Sequence, residues 1–313
     1  MFPFEINASI AVAVSGGPDS MALLHLLRAQ TKNILAITIE HGLREESAAE
    51  AKAVAAWCKQ HKIEHHLLRW RGAKPKTGLH EAARAARYEL LEKFCRQHKV
   101  LHLATAHHAN DQAETILQRI AKASGPAGLS GIAEHSYLPH LHLWRPLLSH
   151  PKADLVKYCE IFNIPFARDA SNENQKYARG RLRSASDVLA AEGLTAANLG
   201  LLAAKQREVS HALEMQTAEF LASHAGLFPT ERAEINAAVF HALPQVIQQM
   251  AMDHALKLTS GNPSPIRYDS IARLCAALVL PNFRAKTLGH CRIQMKRTPK
   301  QSSLIITPEI TRA

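Results

Sequence analysis

The stretch Ile10-Ala11-Val12-Ala13-Val14-Ser15-Gly16-Gly17-Pro18-Asp19-Ser20 decides how the chain reads. Five apolar residues form a buried strand, two glycines turn it, and Pro18 opens a helix at a position where a backbone N–H would lack an intrahelical partner. The glycines bring backbone N–H groups close to a ligand, Ser15 and Ser20 add hydroxyl donors, and the positive end of the helix dipole completes an anion site. A phosphate chain is the expected guest. Asp19 is the odd member, because a carboxylate repels phosphates unless a divalent cation lies between, which points to Mg²⁺ bridging Asp19 and a nucleotide. An ordinary strand-to-helix turn would use the same residue types. The run is not the G-x-x-x-x-G-K-[ST] loop, since no Lys follows the glycines, and G-x-G-x-x-G is absent.

Outward from this stretch, short apolar runs alternate with helical periodicity. Strands are expected at 9–14, 34–39, 65–69 and 100–104, and helices at 19–30, 45–61, 80–98 and 111–121. This is the signature of an α/β domain built on a parallel, Rossmann-like sheet, whose ligands bind beyond the carboxyl ends of the strands. The Ser15–Ser20 loop, Glu40-His41-Gly42-Leu43-Arg44 and Ala106-His107-His108 each follow a strand, so all three should meet at one rim. Residues 169–183 read as a polar, then basic, connector. From about 187 the chain becomes Ala/Leu-rich, with helical stretches at 187–224, 231–258 and 266–280 and two short closing strands around 287–293 and 303–306. The expected division is a domain of 1–186 and a smaller, mainly helical domain of 187–313.

Composition narrows the class. With 38 Lys and Arg against 27 Asp and Glu in 313 residues, the net charge is +11, which favours a polyanion, and nucleic acid over a membrane surface. Five isolated cysteines without a C-x-x-C leave a zinc knuckle, an iron–sulfur site and a sulfur relay unsupported, and suit a reducing cytoplasm. No signal peptide or membrane-spanning run is read.

Thr105 to Thr115 puts two histidines at a strand end and acids at a helix start. Asp111 with Glu114 reads locally as a capping box; alternatively, imidazole and carboxylate face the nucleotide for acid–base or metal work. In order along the chain come Ser15–Ser20, His41-Gly42-Leu43-Arg44 with Ser47 and Glu50, Glu81…Arg84…Arg87-Tyr88, His107-His108…Asp111-Gln112…Glu114-Thr115, Ser124-Gly125…Gly128-Leu129, Arg145-Pro146-Leu147-Leu148, Asp169…Ser171-Asn172 and Arg179…Arg183. Densely over residues 8–185, this pattern resembles the tRNA(Ile)-lysidine synthetases, which are PP-loop N-type ATP pyrophosphatases.

The resemblance implies ATP and Mg²⁺ as cofactors, and isoleucine tRNA and free L-lysine as partners. The implied reaction adenylates the wobble cytidine of a CAU anticodon and replaces its C2 oxygen with lysine, giving lysidine, AMP and pyrophosphate. It places Ser15, Gly16, Gly17, Pro18, Asp19, Ser20 and His41 on the nucleotide, with Asp19 on the metal. His107 and Asp111 lie beside the reacting atoms, and Arg87 stabilises phosphate or adenylate charge unless it merely pairs with Glu81 or Glu92. Lys176, Arg179, Arg181 and Arg183 are expected on tRNA phosphate or the adenylate. Three residues depart from the family pattern: Glu40 for Asp, Ala123 for the first glycine before Ser124-Gly125, and Gly180 for Asn. The separate C-terminal domain of longer members is expected to be absent, and the oligomeric state is left open. The alternatives are another PP-loop tRNA-modifying enzyme, such as a thiolase, and a non-catalytic tRNA-binding protein.

Overall fold

Alternation along the first strand sets the architecture. In the computed structural model, which describes residues 8–42, 46–72, 74–75, 77–167, 178–228, 232–299 and 301–309, Ile10, Val12 and Val14 face one layer of helices and Ala11 the other. The elements of the first half are β1 (Ile10–Ala13), α1 (Pro18–Gln30), β2 (Ile34–Glu40), α2 (Glu46–Gln60), β3 (Glu64–Arg69), α3 (Leu79–Gln97), β4 (His102–Ala104), α4 (Ala109–Ile120), α5 (Pro126–Leu129), β5 (His135–Leu138), β6 (Leu141–Trp144) and α6 (Lys152–Ile161). The strands form a six-stranded sheet in the order β3-β2-β1-β4-β6-β5, parallel except for the β5–β6 pair.

Met21, Leu24 and Leu27 of α1, Val54 and Trp57 of α2 and Leu155 of α6 cover one face, while Leu91, Phe94 and Cys95 of α3 cover the other. Full burial of each large side chain stabilises by roughly 1.5–3 kcal/mol. Strand order reverses between β1 and β4, so their carboxyl ends open the crevice where such sheets bind ligands.

The chain then forms α7 (Ala178–Ser184), α8 (Ser186–Ala191) and α9 (Ala196–His224). The structure divides into two compact units, one up to Arg207 and one from Glu208 onward. The division therefore falls inside α9 rather than between 186 and 187. The reason is packing: Leu199, Leu202 and Ala203 join Ala113, Ile116 and Leu117 of α4 in one apolar cluster.

The second unit carries the helices expected of it, together with more strand than the two closing strands expected. It holds a five-stranded antiparallel sheet, order β7-β8-β11-β10-β9, formed by β7 (Ala225–Phe228), β8 (Arg232–Asn236), β9 (Lys286–Leu288), β10 (Cys291–Arg297) and β11 (Ser302–Pro308). The helices α10 (Ala237–Ala242), α11 (Gln245–Ser260) and α12 (Tyr268–Leu278) share its core. The stretch read as one helix over 231–258 begins as β8, because Ala233 and Ile235 alternate inward and Asn236 then caps α10 through hydrogen bonds from the Ala238 and Val239 amides. No helix among the described residues is long and apolar enough to cross a membrane.

Candidate active site

The Ser15–Ser20 loop joins β1 to α1 at the crevice. Gly16 takes φ +89°, while a Cβ there would only touch Val54 Cγ2 at an ordinary 3.4 Å, so it is the backbone rather than space that calls for glycine. Gly17 is the N-cap and Pro18 the first residue of α1, as the sequence predicts. Ser20 Oγ accepts from the Ser15 amide at 3.1 Å, donates to Gly17 O at 3.0 Å and lies 3.2 Å from Ser15 Oγ. From outside the loop, the Ala167 amide donates to Gly16 O at 2.9 Å.

The β4–α4 junction supplies the histidines and acids. His108, not Asp111, is the N-cap of α4: its Nδ1 accepts from the Asp111 amide at 3.4 Å, while Asp111 Oδ2 accepts from the His108 amide at 3.1 Å. The capping box is therefore His108–Asp111 rather than Asp111–Glu114, because histidine offers a ring acceptor where Ser or Asp usually stands. With its backbone side occupied, the buried His108 ring turns Nε2 to the crevice, 3.5 Å from Asp19 Oδ2 and 3.6 Å from Asp111 Oδ2.

Glu114, one turn further into α4, is buried and ion-paired with Arg183 of α7, whose Nη2 also lies 3.8 Å from Asp111 Oδ1. Asp19, His108, Asp111, Arg183 and Glu114 thus form a continuous polar chain across the crevice. As the residues of the site, sequence reading named His107 and Asp111 rather than His108 and Glu114. Their signal lay within the His107–Thr115 motif, but its meaning depends on α7.

His107 points the other way, with Nδ1 2.9 Å from Thr105 Oγ1. Burial, reinforced by Arg145, Arg84 and Arg87 and opposed by Asp111, lowers its pKa to about 4. The ring is therefore neutral at neutral pH. His41, which follows β2, is also pushed below the usual histidine range, by burial and then by Arg87 and Lys74.

Two adjoining cavities open at this rim. The larger, about 1180 Å³, is lined by Gly17, Thr38, Glu50, Asn110, Lys152 and Arg183, among others; the smaller, about 680 Å³, by Arg84, Thr105, His107, Gln118, Arg119 and Arg145. Ser15, Asp19, His41, Arg87 and Asp111 border both. The loop, His41, His107, Asp111 and Arg87 therefore converge.

Arg87 makes no ion pair with Glu81 or Glu92 among the described residues and stands at the cavity lip. Of the four basic residues expected on RNA, Lys176 and the side chain of Arg179 lie outside the described residues, and Arg181 is exposed on α7. Arg183 is drawn into the site instead, its charge matched by Glu114.

Among the described residues no cluster of three His, Cys, Asp or Glu forms a protein-only metal cage. Asp19 Oδ1 is nevertheless buried with no hydrogen-bond partner, as is His41 Nδ1. A hard carboxylate oxygen beside an anion loop fits Mg²⁺, which is ordinarily held by one or two carboxylates together with substrate phosphates. The five cysteines are free and buried, and none lines either cavity. Burial pushes the thiols of Cys58 and Cys159 up to about 11 and that of Cys95 to about 12.

Comparison with known proteins agrees with this geometry. The PP-loop domain family matches residues 4–188. The tRNA(Ile)-lysidine synthase of Methylobacterium sp. (strain 4-46) is 42% identical over 285 residues, covering 89% of this chain and 82% of that protein. Those of Methylobacterium nodulans and Rhodopseudomonas palustris are 38% and 39% identical, over 96% and 93% of this chain and 90% and 85% of their own. Among solved structures, the U34-tRNA thiolase NcsA from Methanococcus maripaludis, with its [4Fe-4S] cluster, superposes with a TM-score of 0.55 at 16% identity, covering 65% of this chain and 72% of that one; this likeness concerns the fold. By sequence, loop and sheet alike, the chain belongs to the tRNA(Ile)-lysidine synthase family of PP-loop proteins.

Proposed function

We propose that this chain is an ATP-dependent ligase that joins L-lysine to C2 of the wobble cytidine of an isoleucine tRNA, through an adenylated cytidine, releasing AMP and pyrophosphate. The observation that carries the reading is the pair of unpartnered buried atoms at the shared rim, Asp19 Oδ1 and His41 Nδ1, beside a glycine loop built for phosphate. Family membership supports it. The buried, high-pKa cysteines count against a thiolase.

Asp19 would hold Mg²⁺, which when bound offsets charge on the phosphates and polarises the reacting phosphorus. The loop amides and Ser15 and Ser20 bind the leaving pyrophosphate, Lys152 adds a positive charge in the same cavity, and Arg87 at the lip faces the adenylate. His41 contributes a ring nitrogen to the nucleotide.

Lysine must arrive with its ε-amine deprotonated, although its ordinary pKa is about 10.4. At about 4, His107 is too weak a base for that ammonium and is assigned to hydrogen-bond the cytidine. Asp111 is left to hold the amine, and His108 keeps Asp19 and Asp111 in register. The second unit, with Arg284, Lys286, Arg292, Lys296 and Arg297 exposed on or beside β9 and β10, is assigned to RNA phosphates.

The test is transfer of labelled lysine into unmodified isoleucine tRNA with ATP and Mg²⁺, with Asp19→Asn alongside. Wild type should incorporate lysine, and Asp19→Asn should lose Mg²⁺-dependent turnover while keeping its tRNA affinity. Turnover at the wild-type rate in Asp19→Asn would remove the metal assignment, and no incorporation by wild type would remove the ligase reading.

A further inference from the structure

The smaller cavity has a wall of unusual chemistry. At its base, Arg145 is 7% exposed and donates through Nη1 to Ala133 O at 2.6 Å and to Ser136 Oγ at 3.1 Å, while its Nε is buried without a partner. Gln118 Nε2, in the same wall, is likewise buried without a partner. At the mouth stand the exposed cations Arg84 on α3, lying over the Tyr88 ring, and Arg119 and Lys122 at the end of α4. The cavity's acids, Asp19 and Asp111, both lie at the edge shared with the larger cavity. Beyond that edge the wall offers unpartnered donors and positive charge, which is the composition of an oxyanion seat.

We infer that this cavity seats a phosphodiester of the RNA adjoining the reacting cytidine, held from two sides by Arg84 of α3 and by Arg119 of α4 with Lys122 just past its end, above Arg145 and Gln118. The inference rests on the ligase reading for the identity of the RNA. The other anion in the reaction that could enter is the lysine carboxylate. Free lysine, however, carries its α-ammonium directly beside that carboxylate, and this wall would repel it. Three exposed cations from two separate segments also exceed what one carboxylate engages, whereas a backbone threading its base to the rim passes between them. The shared edge at Asp19, Arg87 and Asp111 then brings the base to the nucleotide.

The experiment is a double cycle on tRNA affinity, with the full chain. One partner is isoleucine tRNA assembled with a neutral methylphosphonate on either side of the wobble cytidine; the other is the doubly substituted protein Arg119→Gln, Lys122→Gln. At one of the two linkages, wild type should lose roughly tenfold in affinity for the neutral RNA, the substituted protein should lose roughly tenfold for native RNA, and the combination should be no worse than either alone. The substituted protein should also show a salt slope shallower by about one to two counterions. Multiplied losses, or no loss at either linkage, would overturn the inference. So would a raised KM for lysine with tRNA affinity unchanged, which would assign the cavity to the carboxylate. Because the cycle reads binding, coupling in a protein that fails to transfer lysine would uphold the seat and remove only the ligase reading.

Discussion

Acidification should destabilise the first unit through His107 in a way that a single substitution removes. An unfolded histidine titrates near 6.5, and the native ring, buried among Arg145, Arg84 and Arg87, titrates near 4. The unfolded chain therefore binds the proton first. The term is absent above about pH 6.5, grows as pH falls, and levels off below the native value near 4. Between about pH 7.5 and about pH 5 the difference amounts to some 1.5 pH units of linkage, or about 2 kcal/mol of lost stability.

His25, His41, His65, His142 and His241 are also lowered by burial and add slope of the same sign, so the total dependence is not the test. The test is the difference between wild type and His107→Gln in urea unfolding at the two pH values. Loss of the Thr105 contact shifts the variant equally at both, whereas loss of the titration flattens its slope by about 2 kcal/mol. Parallel pH profiles would refute the reasoning.

Other perturbations follow from the same geometry. Arg183→Gln leaves the Glu114 carboxylate, 8% exposed, without its partner and should cost about 2–3 kcal/mol, most of it recovered by adding Glu114→Gln; urea midpoints that do not recover would show that the pair is not the source. Gly16→Ala imposes a Cβ at φ +89° and should cost about 1–2 kcal/mol together with a raised KM for ATP, while an unchanged KM would detach the loop from the nucleotide. Ala123, where the family has glycine, sits at φ +50°. Ala123→Gly should therefore raise thermal stability by up to about 1 kcal/mol, and a lowered melting temperature would contradict the strain.

The parallel half of the fold was legible because its strands are short apolar runs and its helices carry long Ala/Leu/Glu/Lys periodicity. β1 to β4 and α1 to α4 fall within a few residues of the sequence reading. The β5–β6 hairpin was not, since His135, Tyr137 and His142 give an edge pair little apolar pattern. The strand opening 231–258 was hidden by the helical composition that follows it.

At the site, the contiguous loop was readable because six neighbouring residues, Ser15 to Ser20, do one job. The Glu114–Arg183 pair joins residues 69 apart, and nothing local announces it. Residues 169–183 read as a connector, yet their last part forms α7, whose Arg183 neutralises a buried acid. The capping role of His108 was missed because imidazole seldom serves there, although that role frees Nε2 to stand between two carboxylates.

The hydroxyls of Ser15 and Ser20 that would receive a phosphate already bond to each other and, through Ser20, to the Ser15 amide and Gly17 O. The loop thus carries its own placeholder. On the proposed function, binding would exchange one set of hydrogen bonds for another, so the net affinity would be a difference of similar terms. Re-closure of the same bonds as the pyrophosphate departs would then ease its escape. A rigid self-bonded cradle of this kind favours turnover over tenacity.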